Sequence, residues 1–490
     1  MVRYSPPSLP LLLSSSSFLF LLNIFDYLAA RYLNAGLLGP LAIGIIFGPE
    51  VANIIPDNLQ LTFIDLGYIG LLLIVFEAGL GSSGSPKLEG ITLATVTACI
   101  GVAMPIAVSF ALFSIPGVFG YTRLQAFAAG ASLCSTSLGT TLSLLTPRLR
   151  GTRAGSVLQC AALLDDVVGL VIVGVIQELG SRDASMGAKA PGKWELRDIV
   201  QPVMVSIAFA LVVPLLAWAS QLLLTLLPSR RRDRLFSSKP QFFILGLGLM
   251  GFVAGTNAAG SSDLLGAYLA GAFIAYVFEP ARYTHNLNSN FSIPSKPISP
   301  IEAFDNYFAI PLYRFFSPVF FASIGSALPV RSLFSVNGSH EVVWKGMIYS
   351  LLMIFAKMCT GLCFLVWPEI RSNTGATEPY TAPDTDRPES PSNTAPMPKP
   401  LPISPATHLV PIPHTSLSKR QSVSLISLGM VARGEIALIV AQLARPILVG
   451  NNSSNSELYA VVTWAILITT IVGALGVGGL VRSWKNQGIL

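Results

Sequence analysis

The sequence predicts an all-α membrane protein of about thirteen transmembrane helices, and three observations carry that reading. Its 490 residues are 52% hydrophobic and only 11% charged, with a mean hydropathy of +0.63, more apolar surface than one water-soluble core could hide. The charged residues crowd into short stretches between long apolar blocks. Most of the 31 Lys and Arg fall in alternate connecting loops, as they do when basic loops stay on the cytoplasmic side.

Taking a span as roughly 17 to 25 apolar residues, segments centre near residues 20, 45, 73, 102, 135, 165, 213, 248, 271, 319, 356, 434 and 470. The first follows a single basic residue, Arg3, and no small-residue cleavage site comes after Leu22, so it reads as a retained span rather than a signal peptide. The second and third are LGPLAIGIIFGP and GYIGLLLIVFEAGL, the latter carrying Glu77 inside its apolar run. The fifth contains LCSTSLGTT, from Leu133 to Thr141, which places hydroxyls and Gly139 at mid-membrane depth. The sixth contains CAALLDDVVGLVIV, with Asp165 and Asp166 consecutive on an apolar helix.

Between the seventh and eighth spans, Arg230, Arg231, Arg232 and Arg234 form the one dense basic cluster, read as an orienting loop. The eleventh span, LLMIFAKMCTG, carries Lys357. The twelfth, LISLGMVARGE from Leu425 to Glu435, repeats the glycine interruption of the fifth at Gly429 and Gly434 and adds Arg433 and Glu435. Breaks at corresponding places in two halves point to a transporter's midplane site. The seven-span offset predicts inverted six-helix repeats joined by a seventh helix. Residues 371–420 turn to Pro, Ser and Thr and read as a disordered cytoplasmic loop. The predicted organisation is therefore helices one to eleven over residues 1–370, that loop, then helices twelve and thirteen with a short cytoplasmic C-terminus over 421–490.

The net charge of +6 is spread over loops and forms no basic domain, so nucleic acid is not a predicted partner. All five cysteines lie in apolar segments and give no disulfide framework or metal site. No GxGxxG or P-loop pattern follows a predicted strand, so ATP-driven transport is not indicated and no cofactor is expected. Sequons at Asn337, Asn451 and Asn452 fall in predicted outer loops, although one at Asn290 falls inside.

Six ionisable groups sit deep in apolar blocks: Glu77, Asp165, Asp166, Lys357, Arg433 and Glu435. Each would cost about 2.5 to 3.5 kcal/mol if left unpaired at a helix centre, so they must pair or line water. Neighbours on a helix point about 100° apart, so one aspartate can face a hydrated cavity while the other turns to a partner, for which Lys357 is the obvious cation. A carboxylate partly withdrawn from water can hold a proton or a metal ion, and competition for one site suffices for exchange. The alternative is an ion-pair network that only joins helices, a role apolar packing would serve better. Intramembrane aspartyl proteolysis needs carboxylates meeting from separate segments, not two consecutive on one helix, so no enzyme is expected.

At these residues the sequence resembles the monovalent cation/proton antiporter superfamily, in the paired-aspartate branch that includes bacterial Na+/H+ antiporters and fungal sodium/hydrogen exchangers. Seven strings carry the resemblance in the family's order: LGPLAIGIIFGP, GYIGLLLIVFEAGL, STSLG, LLDDVVGLV, SPVFFASIG, FAKMCTG and RGEIALIV. The resemblance implies a core domain built around two crossing broken helices, a dimerisation domain and a homodimer. It also implies alternating-access exchange of Na+ or K+ for protons, with Asp166 as the carboxylate holding the cation and Asp165 as the partner of Lys357. Thr136 and Ser137 would sit at the fifth-span break, with Arg433 and Glu435 as a supporting buried pair. Paired aspartates with a lysine imply electrogenic exchange. A Na+-coupled organic-acid symporter of related fold is the competing transport function. The insert and the sequons point to a eukaryotic source of fungal type and to a plasma or vacuolar/endosomal membrane.

Overall fold

A bilayer offers no water to backbone N–H and C=O groups, so an apolar chain that spans it must close its hydrogen bonds within helices. The computed structural model is all-helical in this sense: among the described residues there is no strand, only an isolated bridge between Val336 and Ser339. The structure describes residues 6, 8–33, 35–81, 91–115, 119–137, 149, 152–186, 196–228, 234–279, 298–336, 338–366, 417–449 and 456–487. Almost all of the predicted 371–420 loop, and Gly139, lie outside them.

Among the described residues, eight helices are long and apolar enough to cross a membrane. They are α1 (Leu9–Leu33), α3 (Asp57–Gly81), α4 (Ile91–Phe113), α6 (Arg153–Met186), α7 (Leu196–Leu226), α8 (Ser238–Ala258), α13 (Glu341–Met358, continued to Val366) and α18 (Glu457–Asn486). A further apolar stretch is bent by 49°: α10 (Pro300–Phe304) runs through two π-helical turns, Asp305–Ala309 and Leu312–Phe316, into α11 (Ser317–Ala327). Shorter helices fill the remaining apolar segments: α2 (Leu38–Phe47), α5 (Arg123–Ser132), α9 (Asp263–Val277), α15 (Lys419–Gly429) and α16 (Glu435–Leu443). The small helices α12 (Val330–Phe334), α14 (Cys363–Val366) and α17 (Arg445–Val449) complete the set. The five predicted segments outside those eight are the ones near 45 and 271, whose helices α2 and α9 are shorter, the one near 319, which is the bent pair, and those near 135 and 434, where the backbone leaves the helical path.

Packing sorts the helices into two neighbourhoods. In one, α3 lies against α9 and α11, α2 against α1 and α11, and α8 against α9. In the other, α4 lies against α5, α6 and α13, α13 against α18, and α16 against α5 and α6. The two aspartates and the two interrupted helices all belong to the second. Outward faces are apolar: Leu211, Leu215, Trp218 and Leu223 on α7 and Phe243, Leu247 and Met250 on α8 stand exposed, as lipid-facing positions do. Multiple apolar helices of this kind make the chain an integral membrane protein.

Candidate functional site

α5 starts on a capping box, with the Thr122 side chain accepting from the Gln125 N–H, and it stops at Ser132. The last turn tightens, with the Leu133 N–H donating to the Gly130 carbonyl at 3.1 Å and the Cys134 N–H to that of Ala131 at 3.3 Å, and residues 135–137 leave the helical path. The same happens after α15: Met430 to Gly434 are non-helical, and α16 begins at Glu435. These two interruptions meet. The Ser137 N–H donates to the Ala432 carbonyl at 2.9 Å. Gly434 is required at the contact, because a Cβ there would stand 2.4 Å from Ser137 Oγ and 2.5 Å from Ser137 Cβ.

Against this crossing lies the middle of α6, and consecutive positions place its two aspartates differently. Asp165 is wholly buried and Asp166 is 6% exposed. Lys357, also wholly buried, donates from Nζ to Asp165 Oδ2 at 2.6 Å. The Thr136 hydroxyl closes a triangle, donating to Asp165 Oδ2 at 2.6 Å and accepting from Lys357 Nζ at 3.0 Å. Lys357 also donates to the Cys134 carbonyl. Asp166 turns to a separate donor, the Ser135 hydroxyl at 2.7 Å from Oδ1. One aspartate is thus fixed by a cation and a hydroxyl, while its neighbour accepts from a different hydroxyl. Charge-assisted bonds of this sort are roughly twice as strong as neutral ones.

Arg433 enters from the other interruption. Its side chain is completely buried, and Nη1 donates to the Ser135 carbonyl at 2.5 Å and more weakly to that of Cys134 at 3.4 Å. Two side-chain cations therefore cap the carbonyl end of α5, where the helix dipole is negative. The expected Arg433–Glu435 pair falls partly outside the description, since the Glu435 side chain is not among the described ones. Glu77 stands elsewhere, half-buried on α3, and accepts from the Tyr313 hydroxyl at 2.5 Å.

The structure thus gathers Asp165, Asp166, Lys357, Thr136, Ser137 and Arg433 at one crossing. Of the two hydroxyl residues expected there, Thr136 acts through its side chain, and Ser137 joins the two breaks through its backbone. Ser135 was not singled out; its one signal was membership of the same hydroxyl run. A further buried charge lies outside this crossing. Lys345, three helical turns before Lys357 on α13, pairs with Glu341 at 2.8 Å and with Glu457 of α18 at 2.6 Å.

Comparison with known proteins shows the family and the fold. A family model described as "Sodium/hydrogen exchanger, transmembrane" matches residues 17–483. The Bacillus cereus protein named "Probable Na(+)/H(+) antiporter GerT" is 25% identical over 419 residues, covering 84% of this chain and 85% of that protein. The Na(+)/H(+)-K(+) antiporter GerN, also of Bacillus cereus, is 23% identical over 338 residues, covering 68% and 73%. Among solved structures, the sodium proton antiporter MjNhaP1 from Methanocaldococcus jannaschii at pH 8 superposes with a TM-score of 0.52 at 16% identity, covering 98% of this chain and 99% of that one. These relatives are bacterial and archaeal, and lend no support to the eukaryotic origin read from the sequons.

Proposed function

The chain belongs to the sodium/hydrogen exchanger family, transporters rather than enzymes, and from that premise we propose that it is a secondary antiporter exchanging a monovalent cation, Na+ or K+, for protons. The observation that carries the reading is the division of labour between adjacent aspartates. Asp165 is neutralised by Lys357 and Thr136, whereas Asp166 meets the Ser135 hydroxyl beside two interrupted helices. Asp166 then takes either a proton or the cation, because both compete for one carboxylate. Asp165 holds Lys357 in place and exchanges some of that contact when the cation arrives. Thr136 and Ser137 keep the interruption in register, and Arg433 with Glu435 supports it.

In this proposal thirteen segments cross the membrane, the short and interrupted helices supplying those that the length criterion leaves out. The neighbourhood of α4, α5, α6, α13, α16 and α18 is the moving core, and that of α1, α2, α3, α8, α9 and α11 carries the dimer contact of a homodimer. Alternating access follows from sliding one neighbourhood along the other, and exchange is electrogenic. Plasma and vacuolar/endosomal membranes remain the proposed sites.

The test is pH-dequenching in proteoliposomes with Na+ or K+ added in turn, comparing wild type with Asp166→Asn. Wild-type dequenching abolished in the variant is expected; undiminished exchange in Asp166→Asn would remove the proposal. Lys357→Ala separates this reading from organic-acid symport, which has no need of the lysine: loss of proton-coupled cation flux is expected for an antiporter. Exchange indifferent to an imposed membrane potential would refute the electrogenic assignment alone.

A further inference from the structure

Some glycines within these helices are explained by packing alone. A side chain at Gly79 or Gly271 would stand 2.2 Å from a carbonyl oxygen of the facing helix, that of Tyr268 or Phe76, the ordinary reason for a small residue where membrane helices meet. Gly101, buried at the middle of α4, differs. Beyond α4 itself, the three atoms nearest to a methyl group placed there are side-chain ends: Met430 Cε at 3.1 Å, Lys357 Nζ at 3.3 Å and Asp165 Oδ1 at 3.5 Å. Two of them belong to the buried ion pair.

Lys357 is bonded to Asp165 Oδ2, and the Thr136 hydroxyl and the Cys134 carbonyl hold its Nζ there. Asp165 Oδ1 is also buried, yet it has no hydrogen-bond partner among the described residues. A buried carboxylate oxygen without a donor is costly, so Oδ1 attracts the ammonium. Nζ can pass from Oδ2 towards Oδ1 without leaving the carboxylate, and beside that path Gly101 presents only hydrogen. Met430, the third neighbour, ends in a flexible thioether that gives way readily. We propose that Gly101 is a positioning residue for exchange: by carrying no side chain it lets Lys357 slide across the Asp165 carboxylate during the transport cycle, whereas a methyl group would hold the ammonium on Oδ2. This rests on the antiport reading above, in which Lys357 gives up part of its contact with Asp165 when the cation arrives.

The experiment compares wild type, Gly101→Ala and Gly101→Ser. Gly251→Ala, on α8 with open space at its Cβ position, controls for the gain in helix propensity. Each protein is checked by thermal unfolding in detergent, then assayed in proteoliposomes for the maximal rate and apparent KM of proton flux driven by Na+ or K+. Gly101→Ala should unfold close to the wild-type temperature, because only flexible side-chain ends have to give. Its maximal rate should fall by about tenfold, towards the low end of what overpacking costs, with apparent KM changed by less than about threefold. Gly101→Ser brings a hydroxyl within reach of Oδ1 and should slow exchange at least as much. Gly251→Ala should keep the wild-type rate. An undiminished rate in Gly101→Ala would overturn the inference and leave antiport standing, as would a rise in KM that matches the fall in rate. If Gly101→Ala does not fold, Gly101→Ser decides by the same measures. Failure of both to fold would make Gly101 a packing residue and overturn the inference. Absence of proton-coupled flux for either cation in the wild type would overturn the antiport reading, and this inference with it.

Discussion

The backbone N–H of Ser137 donates to the carbonyl of Ala432 at 2.9 Å, a single bond between residues almost three hundred positions apart that joins the two interrupted helices. Neither backbone group has a helical partner at that point, so each satisfies the other, and the crossing is hydrogen-bonded without being helical. Ser135, Thr136 and Arg433, which meet at the site, lie on the two segments it joins.

Its closeness leaves no room for a side chain at Gly434. Gly434→Ala should lower thermal stability in detergent by about 1–3 kcal/mol, the usual range for overpacking, and reduce exchange sharply. Scanning fluorimetry and a proteoliposome assay check both. Combining it with Ser137→Gly, which removes the obstructing Cβ and Oγ, should recover part of each.

The hydroxyls of Ser135 and Ser137 are expected to differ. Ser135→Ala deletes the bond to Asp166 Oδ1, and hydrogen bonds to charged groups are worth about 1.5–3 kcal/mol. Apparent cation KM should therefore rise by about tenfold or more. Ser137→Ala keeps its backbone bond to Ala432 and should change KM much less. Equal effects would mean that both hydroxyls reach the ion.

This difference marks what was legible in the residues and what was not. Asp165, Asp166 and Lys357 announce themselves because a charge in an apolar helix has to be explained. Which serine of LCSTSLGTT faces Asp166 depends on the direction of a backbone that has left the helix, and no periodicity describes that. Arg433 is legible as a buried charge, but its partners are main-chain carbonyls, which look the same in every sequence. Lys345 lies one turn inside its span, where a lysine ordinarily reaches back to the surface, and its burial became visible only when α18 and the aromatic residues 119 and 344 closed over it.

Lys345 is 6% exposed and pinned between Glu341 and Glu457. Glu457→Gln should cost about 2–4 kcal/mol, somewhat below the range for breaking a fully buried pair because Glu457 is partly exposed. Thermal unfolding checks this. The exchange Lys345→Glu with Glu457→Lys should recover more stability than either single change if the attraction, rather than packing, matters.

Tyr121, in the connection before α5, has its phenol pushed well above the ordinary value of 10.0, chiefly by burial and further by the nearby Glu457 and Glu341 carboxylates. The folded chain keeps that proton where the unfolded chain releases it. The resulting stability is complete below about pH 10 and is lost as pH rises above it. Tyr121→Phe should therefore flatten the alkaline fall in unfolding temperature between about pH 9 and pH 11.

Residues 367–416, between α14 and α15, lie outside the described residues, and those two helices lie against each other. The Ser427 hydroxyl of α15 donates to the Met358 carbonyl at 2.9 Å, and Gly361 comes so near Ser427 that even a methyl group would collide. The two ends of the insert are therefore held by contacts it does not make. A polypeptide nicked inside it would still consist of two pieces that grip one another across α15, so continuity of the chain and integrity of the ion site are separable properties of this molecule.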